Sequence, residues 1–182
     1  MELSTDEIER ARRGERAARA RLVALYQARV YAVCRALAGD DAYDCAQDAL
    51  VKVLLGLERF DTRDARPLGA FVLRIARNVC IDRARSARVQ TRTDASLHQV
   101  TGGAVPDRQL IDAERAEQIR GAVLALPADQ RAAIGLRIWG ELEYEQIAEI
   151  EGVPVGTIRS RLARARDALR LVLCQEEVAD AG

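Results

Sequence analysis

Residues 126–170 read LPADQRAAIGLRIWGELEYEQIAEIEGVPVGTIRSRLARARDALR, two short helical patterns, a turn and a third helix rich in arginine. Tyr144, Ile147 and Ala148 recur at i, i+3 and i+4, the spacing that buries one helix face. Glu151-Gly152-Val153 follows as a turn, and Gly152 can take the left-handed conformation that closes it. Pro154 suits the first turn of the next helix, where a missing N–H costs nothing. In that helix Ile158, Leu162, Ala165 and Leu169 share one stripe, while Ser160 and Ala163 point away from it, flanked by Arg159 and Arg164. The pattern is that of a helix-turn-helix, whose second helix enters a major groove. Taken alone, the arginines are more simply those of a solvated helical face.

The spelling is more specific than the pattern. Leu126-Pro127, Glu145-Gln146-Ile147-Ala148-Glu149 and above all Gly156-Thr157-Ile158-Arg159-Ser160-Arg161-Leu162 resemble the C-terminal promoter-binding domain of bacterial sigma factors of the extracytoplasmic-function type. The resemblance implies that Thr157, Arg159, Ser160, Arg161, Ala163 and Arg164 contact duplex DNA at the −35 element. One feature is weaker than usual. Leu142-Glu143-Tyr144 opens the first helix of the pair without Ser, Thr, Asp or Asn, the best capping residues. Glu143 and Glu145 near the positive helix end are expected to compensate.

Upstream, Asp44-Cys45-Ala46-Gln47-Asp48-Ala49-Leu50 and 71–85, FVLRIARNVCIDRAR, resemble the other module of the same family. Phe71-Val72 and Leu50 depart from common family residues but keep the positions apolar. Asp44, Gln47 and Asp48 lie at i, i+3 and i+4 and therefore share a face. Cys45, Ala46, Ala49, Leu50, Val53 and Leu54 occupy the other side. Read from the residues, the acidic face suits a basic protein surface or water. The resemblance implies that it docks on the β′ clamp helices of core RNA polymerase, with the β flap as a further contact.

A helix over about 71–88 carries the apolar stripe Val72, Ile75, Ala76 and Val79. Arg74, Arg77, Asn78, Arg85 and Arg88 gather opposite, with Asp82 at the border. Within 71–92 Asp82 is the sole acid against Arg74, Arg77, Arg83, Arg85, Arg88 and Arg92, a surface that attracts phosphates. The Asn78 side chain both donates and accepts, as base-edge reading requires. In the family, the polar loop at 61–69 and this helix hold the melted −10 strand and a flipped base. The resemblance thus implies −10 contacts from Arg63, Arg66, Arg74, Arg77, Asn78, Asp82 and Arg85.

Composition is consistent with two small helical domains. The chain has 182 residues and no net charge, with 28 basic and 28 acidic residues. Neutrality alone argues against a DNA binder, but the charge is segregated, and screening acts over about 10 Å. Arg159, Arg161, Arg164, Arg166 and Arg170 face one acid, Asp167, within 155–170. Lys52 is the only lysine. No segment alternates as a strand would, so the expected class is all-α: two small helical domains, the C-terminal one a helix-turn-helix, joined by a flexible linker. The expected division is 1–90, a linker over 91–112 with Gly102, Gly103 and Pro106, 113–175, and an acidic tail over 176–182.

Ser4 and Glu7 have capping-box spacing for a first helix. The acidic start has no signal-peptide pattern and no stretch reads as a membrane span, so a cytoplasmic location without membrane insertion is expected. Cys34, Cys45, Cys80 and Cys174 form no Cys-x-x-Cys pair and read as buried free thiols. His98 is the only histidine. Neither a metal site, a cofactor nor a catalytic motif is expected. The reading is a sigma factor that brings core RNA polymerase to promoter DNA, with an anti-sigma factor as an expected further partner. The alternative is a stand-alone helix-turn-helix regulator, which has no need of the Asp44 face or the Asn78 helix.

Overall fold

The computed structural model describes residues 3–61, 67–91 and 108–179, with side chains placed over 3–61, 67–87 and 116–171. Among them are eight α-helices and no strand. The first four are α1 (Thr5–Arg12), α2 (Arg16–Ala38), α3 (Ala42–Gly56) and α4 (Leu68–Thr91). The others are α5 (Arg108–Ala125), α6 (Ala128–Ile138), α7 (Tyr144–Glu151) and α8 (Val155–Ala179). The all-α expectation holds, and no described helix is long and apolar enough to cross a membrane.

Helix α1 starts as the capping box requires. The Glu7 amide donates to Ser4 Oγ at 3.3 Å, and the Ser4 amide donates back to Glu7 Oε2 at 2.9 Å. Helix α2 is the spine of the N-terminal half. Leu22, Tyr26, Val30, Val33 and Cys34 form its buried stripe, and α3 and α4 cover it. Helix α3 contributes Cys45, Ala46, Ala49 and Val53 to this core, and α4 contributes Val72, Leu73, Ala76 and Val79. Helix α4 begins three residues before the expected start at 71. The Pro67 carbonyl accepts from the amides of Ala70 and Phe71 at 3.0 and 3.3 Å, so a residue without an N–H opens the helix.

In the C-terminal half, α8 lies against α6 and α7, with Ile158, Leu162 and Ala165 buried and Leu169 partly so. Ile147 and Ala148 of α7 are buried as their spacing predicts, and Tyr144 is half-buried. Gly152 caps α7 at φ 66° and ψ 35°, a left-handed conformation that costs a residue with a Cβ about 1–2 kcal/mol. Two local expectations change. Pro154 sits one residue before α8, and its carbonyl accepts from the amides of Thr157 and Ile158 at 2.9 and 3.4 Å. Helix α7 also has a side-chain cap: Gln146 Oε1 accepts from the Glu143 amide at 2.9 Å.

The two halves pack on one another. The C-terminal end of α2 meets α6 at Gly135, where a Cβ would lie 3.5 Å from Leu37 and 3.6 Å from Ala36. Leu73 of α4 fits under Gly140, where a Cβ would come 3.0 Å from it and clash with the Leu136 carbonyl oxygen. One apolar core thus runs from Ile8 through both modules to Ala165. Helix α5 starts at Arg108, so the last residues of the expected 91–112 linker are helical. Residues 92–107, including His98 and the Gly-Gly pair, lie outside the described residues, as do 62–66.

Ile158 is fully buried, between helices that must stay docked for α8 to keep its orientation. Ile158→Ala should lower unfolding stability by about 2–5 kcal/mol, measured by urea denaturation. A loss under half a kcal/mol would contradict this packing.

Candidate polymerase and DNA interfaces

The face of α3 forms as its spacing predicts. Asp44, Gln47 and Asp48 are all exposed, because Cys45, Ala46 and Ala49 occupy the side turned to α2 and α4. Asp44 Oδ2 accepts from Arg83 Nη2 of α4 at 3.3 Å, and the same nitrogen lies 3.4 Å from Asp41 Oδ1. Exposed pairs of this kind contribute about 0–1 kcal/mol, so Arg83 is easily displaced. The face continues into Val51 and Leu55, both largely exposed, and Lys52 lies beside them, also exposed.

Beneath this face three thiols from three helices meet. Cys34, Cys45 and Cys80 are free and buried, as expected for reduced interior cysteines. Burial, and then its neighbour Cys80, push the Cys45 thiol up to about 12. Cys80 is raised strongly as well, first by hydrogen bonding with Cys34 and then by burial. Cys45 and Cys80 are therefore neutral thiols at physiological pH, and the thiolate is the reactive form. The side chain of Cys174 lies outside the described residues.

Helix α4 presents Asn78, Asp82 and Arg85 to solvent, but its other two predicted DNA residues, Arg74 and Arg77, are half-buried. Both reach across to α7. Arg74 Nη2 donates to Glu149 Oε1 at 3.1 Å. Arg77 forks onto Glu151, with Nε to Oε1 at 2.8 Å and Nη2 to Oε2 at 3.1 Å. Its third nitrogen, Nη1, donates to the Asn78 side-chain oxygen at 3.1 Å. Arg88 and the loop residues Arg63 and Arg66 lie outside the described side chains.

Helix α8 divides its predicted residues between two directions. Arg159, Ala163 and Arg164 are exposed opposite the buried stripe, and Ser160 Oγ accepts from Arg164 Nη2 at 3.4 Å while donating to the Thr157 carbonyl at 2.9 Å. Thr157 is half-buried. Arg161 points instead into the junction between the modules. Its Nε lies 3.1 Å from Asp129 and its Nη1 3.5 Å from Glu151. The Glu151 side chain is only 4 % exposed and serves one arginine from α4 and one from α8. The sequence reading missed Glu149, Glu151 and Asp129. Periodicity assigns a residue to a face of its own helix but says nothing of which distant helix covers that face. An open cleft of about 410 Å³ borders this junction, lined by Arg77, Cys80, Arg85, Arg131, Glu151 and Arg161 among others.

Two family models match the chain in the order of these modules: sigma-70 region 2 over residues 22–89 and sigma-70 region 4 over residues 116–169. The chain belongs to the sigma-70 family of RNA polymerase sigma factors. Its relatives place it among the extracytoplasmic-function type. It is 30 % identical to the ECF RNA polymerase sigma factor SigW of Bacillus subtilis, over 90 % of this chain and 92 % of that one. It is 32 % identical to the ECF RNA polymerase sigma-E factor of Escherichia coli K12, over 89 % and 90 %. Among solved structures it resembles the sigma factor RpoE in complex with the anti-sigma factor NepR from Bartonella quintana. That match has a TM-score of 0.67 and 28 % identity, over 85 % of this chain and 95 % of that one. A sigma factor directs core RNA polymerase to promoters, and a stand-alone regulator is not favoured.

The buried thiols make a prediction with a defined sign. Cys45 has its value raised in the folded chain, so its contribution to stability is complete below its unfolded value of about 8.5. It is lost as pH rises toward the folded value of about 12. Urea midpoints should fall over that alkaline range. At pH 8, iodoacetamide should leave Cys34, Cys45 and Cys80 unlabelled in the native chain and alkylate them in urea, as read by mass spectrometry. Rapid native labelling of all three would contradict the packing.

Proposed function

We propose that this chain binds core RNA polymerase through Asp44, Gln47 and Asp48. In this reading its −10 contacts come from 61–66 and from Arg74, Arg77, Asn78, Asp82 and Arg85 on α4. Its −35 contacts come from Thr157, Arg159, Ser160, Arg161, Ala163 and Arg164 on α8. The observation that carries the reading is the pair of outward faces: an acidic one on α3, and an arginine-bearing one on α8 opposite the stripe that docks it. Acidic groups suit a basic protein partner, and exposed arginines suit phosphates and guanine edges. Residues 1–90 and 113–175 act as the two binding modules, and 91–112 ties them together so that the second contact becomes intramolecular. The chemistry of RNA synthesis belongs to the polymerase, and the site of action is the cytoplasm. A structural relative is held by an anti-sigma factor, which supports a similar inhibitory partner here.

Asp44→Lys with Asp48→Lys should weaken assembly with core enzyme by on the order of tenfold or more, because like charges then meet across the contact. Helical content by circular dichroism should stay unchanged, since both side chains are exposed. Wild-type affinity for the double variant removes this face from the polymerase contact.

Arg159→Ala should cost about 1–3 kcal/mol and relax selectivity at particular −35 bases. Arg170→Ala, exposed one stretch further along α8, should weaken all sequences alike through phosphate. A base-substitution scan with holoenzyme reads the difference, and identical profiles for the two variants would sink the distinction.

A further inference from the structure

We propose that Cys34, Cys45 and Cys80 form a site of reversible oxidation, at which a peroxide joins Cys80 to one of its two neighbours as a disulfide and so weakens binding to polymerase. The last part rests on the α3 face proposed above. The three residues are far apart in sequence, on α2, α3 and α4, yet all are buried, free and gathered in one place. Cys80 is the middle member, since its thiol hydrogen-bonds with those of Cys34 and Cys45. Among the described residues no three His, Cys, Asp or Glu side chains are arranged to hold a metal ion, which leaves the chemistry of the thiols themselves. Cys80 also borders the open cleft of about 410 Å³, beside Leu37, Ile81 and Ala84. Hydrogen peroxide is little larger than water and reaches Cys80 from there. Iodoacetamide has to leave a bulky group in a packed core, whereas a disulfide adds no atom and removes two hydrogens.

The Cys80 sulfur attacks one oxygen of the peroxide. The O–O bond breaks, the other oxygen leaves as water with the thiol proton, and Cys80 becomes a sulfenic acid. The sulfur of Cys34 or Cys45 then attacks that of Cys80. An S–S bond forms, the S–O bond breaks, and the hydroxyl leaves as a second water with the proton of the attacking thiol. Two thiols give up two electrons, and the peroxide is reduced to water. The resolving thiol is already in contact, so the second step needs no encounter. The raised values of Cys45 and Cys80 keep thiolate scarce, so the first step is slow and answers to sustained peroxide. The thiol left over lies beside the new bond and exchanges into it. A disulfide holds its sulfurs at about 2.05 Å, well inside the contact of two hydrogen-bonded thiols. Its formation therefore draws α4 toward α2 or α3. Cys45 adjoins Asp44 in sequence, and Arg83, less than one turn beyond Cys80, holds both Asp41 and Asp44. The acidic face accordingly moves with the thiols beneath it.

The test uses the full-length reduced chain, incubated with hydrogen peroxide, freed of it by catalase and only then mixed with core enzyme. Peptide mapping by mass spectrometry without reductant should find Cys80 joined to Cys34 or Cys45 within one chain, and dithiothreitol should undo the bond. Affinity for core enzyme should fall by roughly tenfold on oxidation, as when a charged contact is misplaced, and return on reduction. Cys80→Ala should bind core enzyme as the reduced wild type does and be indifferent to peroxide. Because a substitution in the core can disturb the fold, Cys34→Ala with Cys45→Ala supplies a second test. That variant keeps Cys80 but removes both partners, and it should lose the disulfide and the response together. Cys174→Ala should respond as the wild type does. The inference is overturned if Cys80 joins neither neighbour under peroxide that oxidises an exposed thiol in the same tube. It is equally overturned if the disulfide forms and affinity for core enzyme is unchanged. The assignment of the α3 face fails separately, on Asp44→Lys with Asp48→Lys in the reduced chain.

Discussion

Helix α2 must be covered on two sides, and the arrangement of everything else follows. Its main stripe, Leu22 through Cys34, needs α3 and α4. Its C-terminal end, with Ala36 and Leu37, offers a second apolar surface that α6 takes up through Gly135. Because one helix supplies both contacts, the acidic face of α3 is turned outward on one side. On the other, α4 and α7 are brought close enough for their charged side chains to pair. The hydrophobic contact sets the distance; the arginines and glutamates then decide which charged groups meet.

Those charges are used economically. A neutral chain that binds an acidic polymer must keep its basic residues from being cancelled at random. Here the exposed arginines of α8 remain on an outward face, whereas Arg74, Arg77 and Arg161 are matched to specific carboxylates. Glu151, almost fully enclosed, would be costly to bury without partners; two guanidiniums compensate it. Removing either neighbour leaves a charge in a confined place, and so the three groups act as a unit rather than as separable surface pairs.

Much of this was legible in sequence because it is local. The i, i+3, i+4 spacing of Asp44, Gln47 and Asp48 and the stripe from Ile158 to Leu169 each depend only on helical geometry, and both formed as read. Gly152 was legible for the same reason. The early start of α4 had a usable signal in Pro67, which was read only as part of the loop over 61–69. The cap of α7 was hidden because Gln146, three residues after Glu143, looked like part of the family spelling rather than a capping side chain. The pairing of Arg77 and Arg161 through Glu151 had no local signal. It joins residues 74 and 10 positions apart and requires knowing how two modules pack.

The near absence of lysine has a consequence for chemistry done on the chain from outside. Lys52 is the only lysine, and it is exposed on α3 one helical turn beyond Asp48. Amine-reactive cross-linkers and acylating agents that pass over guanidinium groups therefore find one side-chain address, apart from the chain's own α-amino group. That address lies on the face proposed to meet polymerase, so a cross-link formed there identifies the neighbouring surface directly, without an engineered handle.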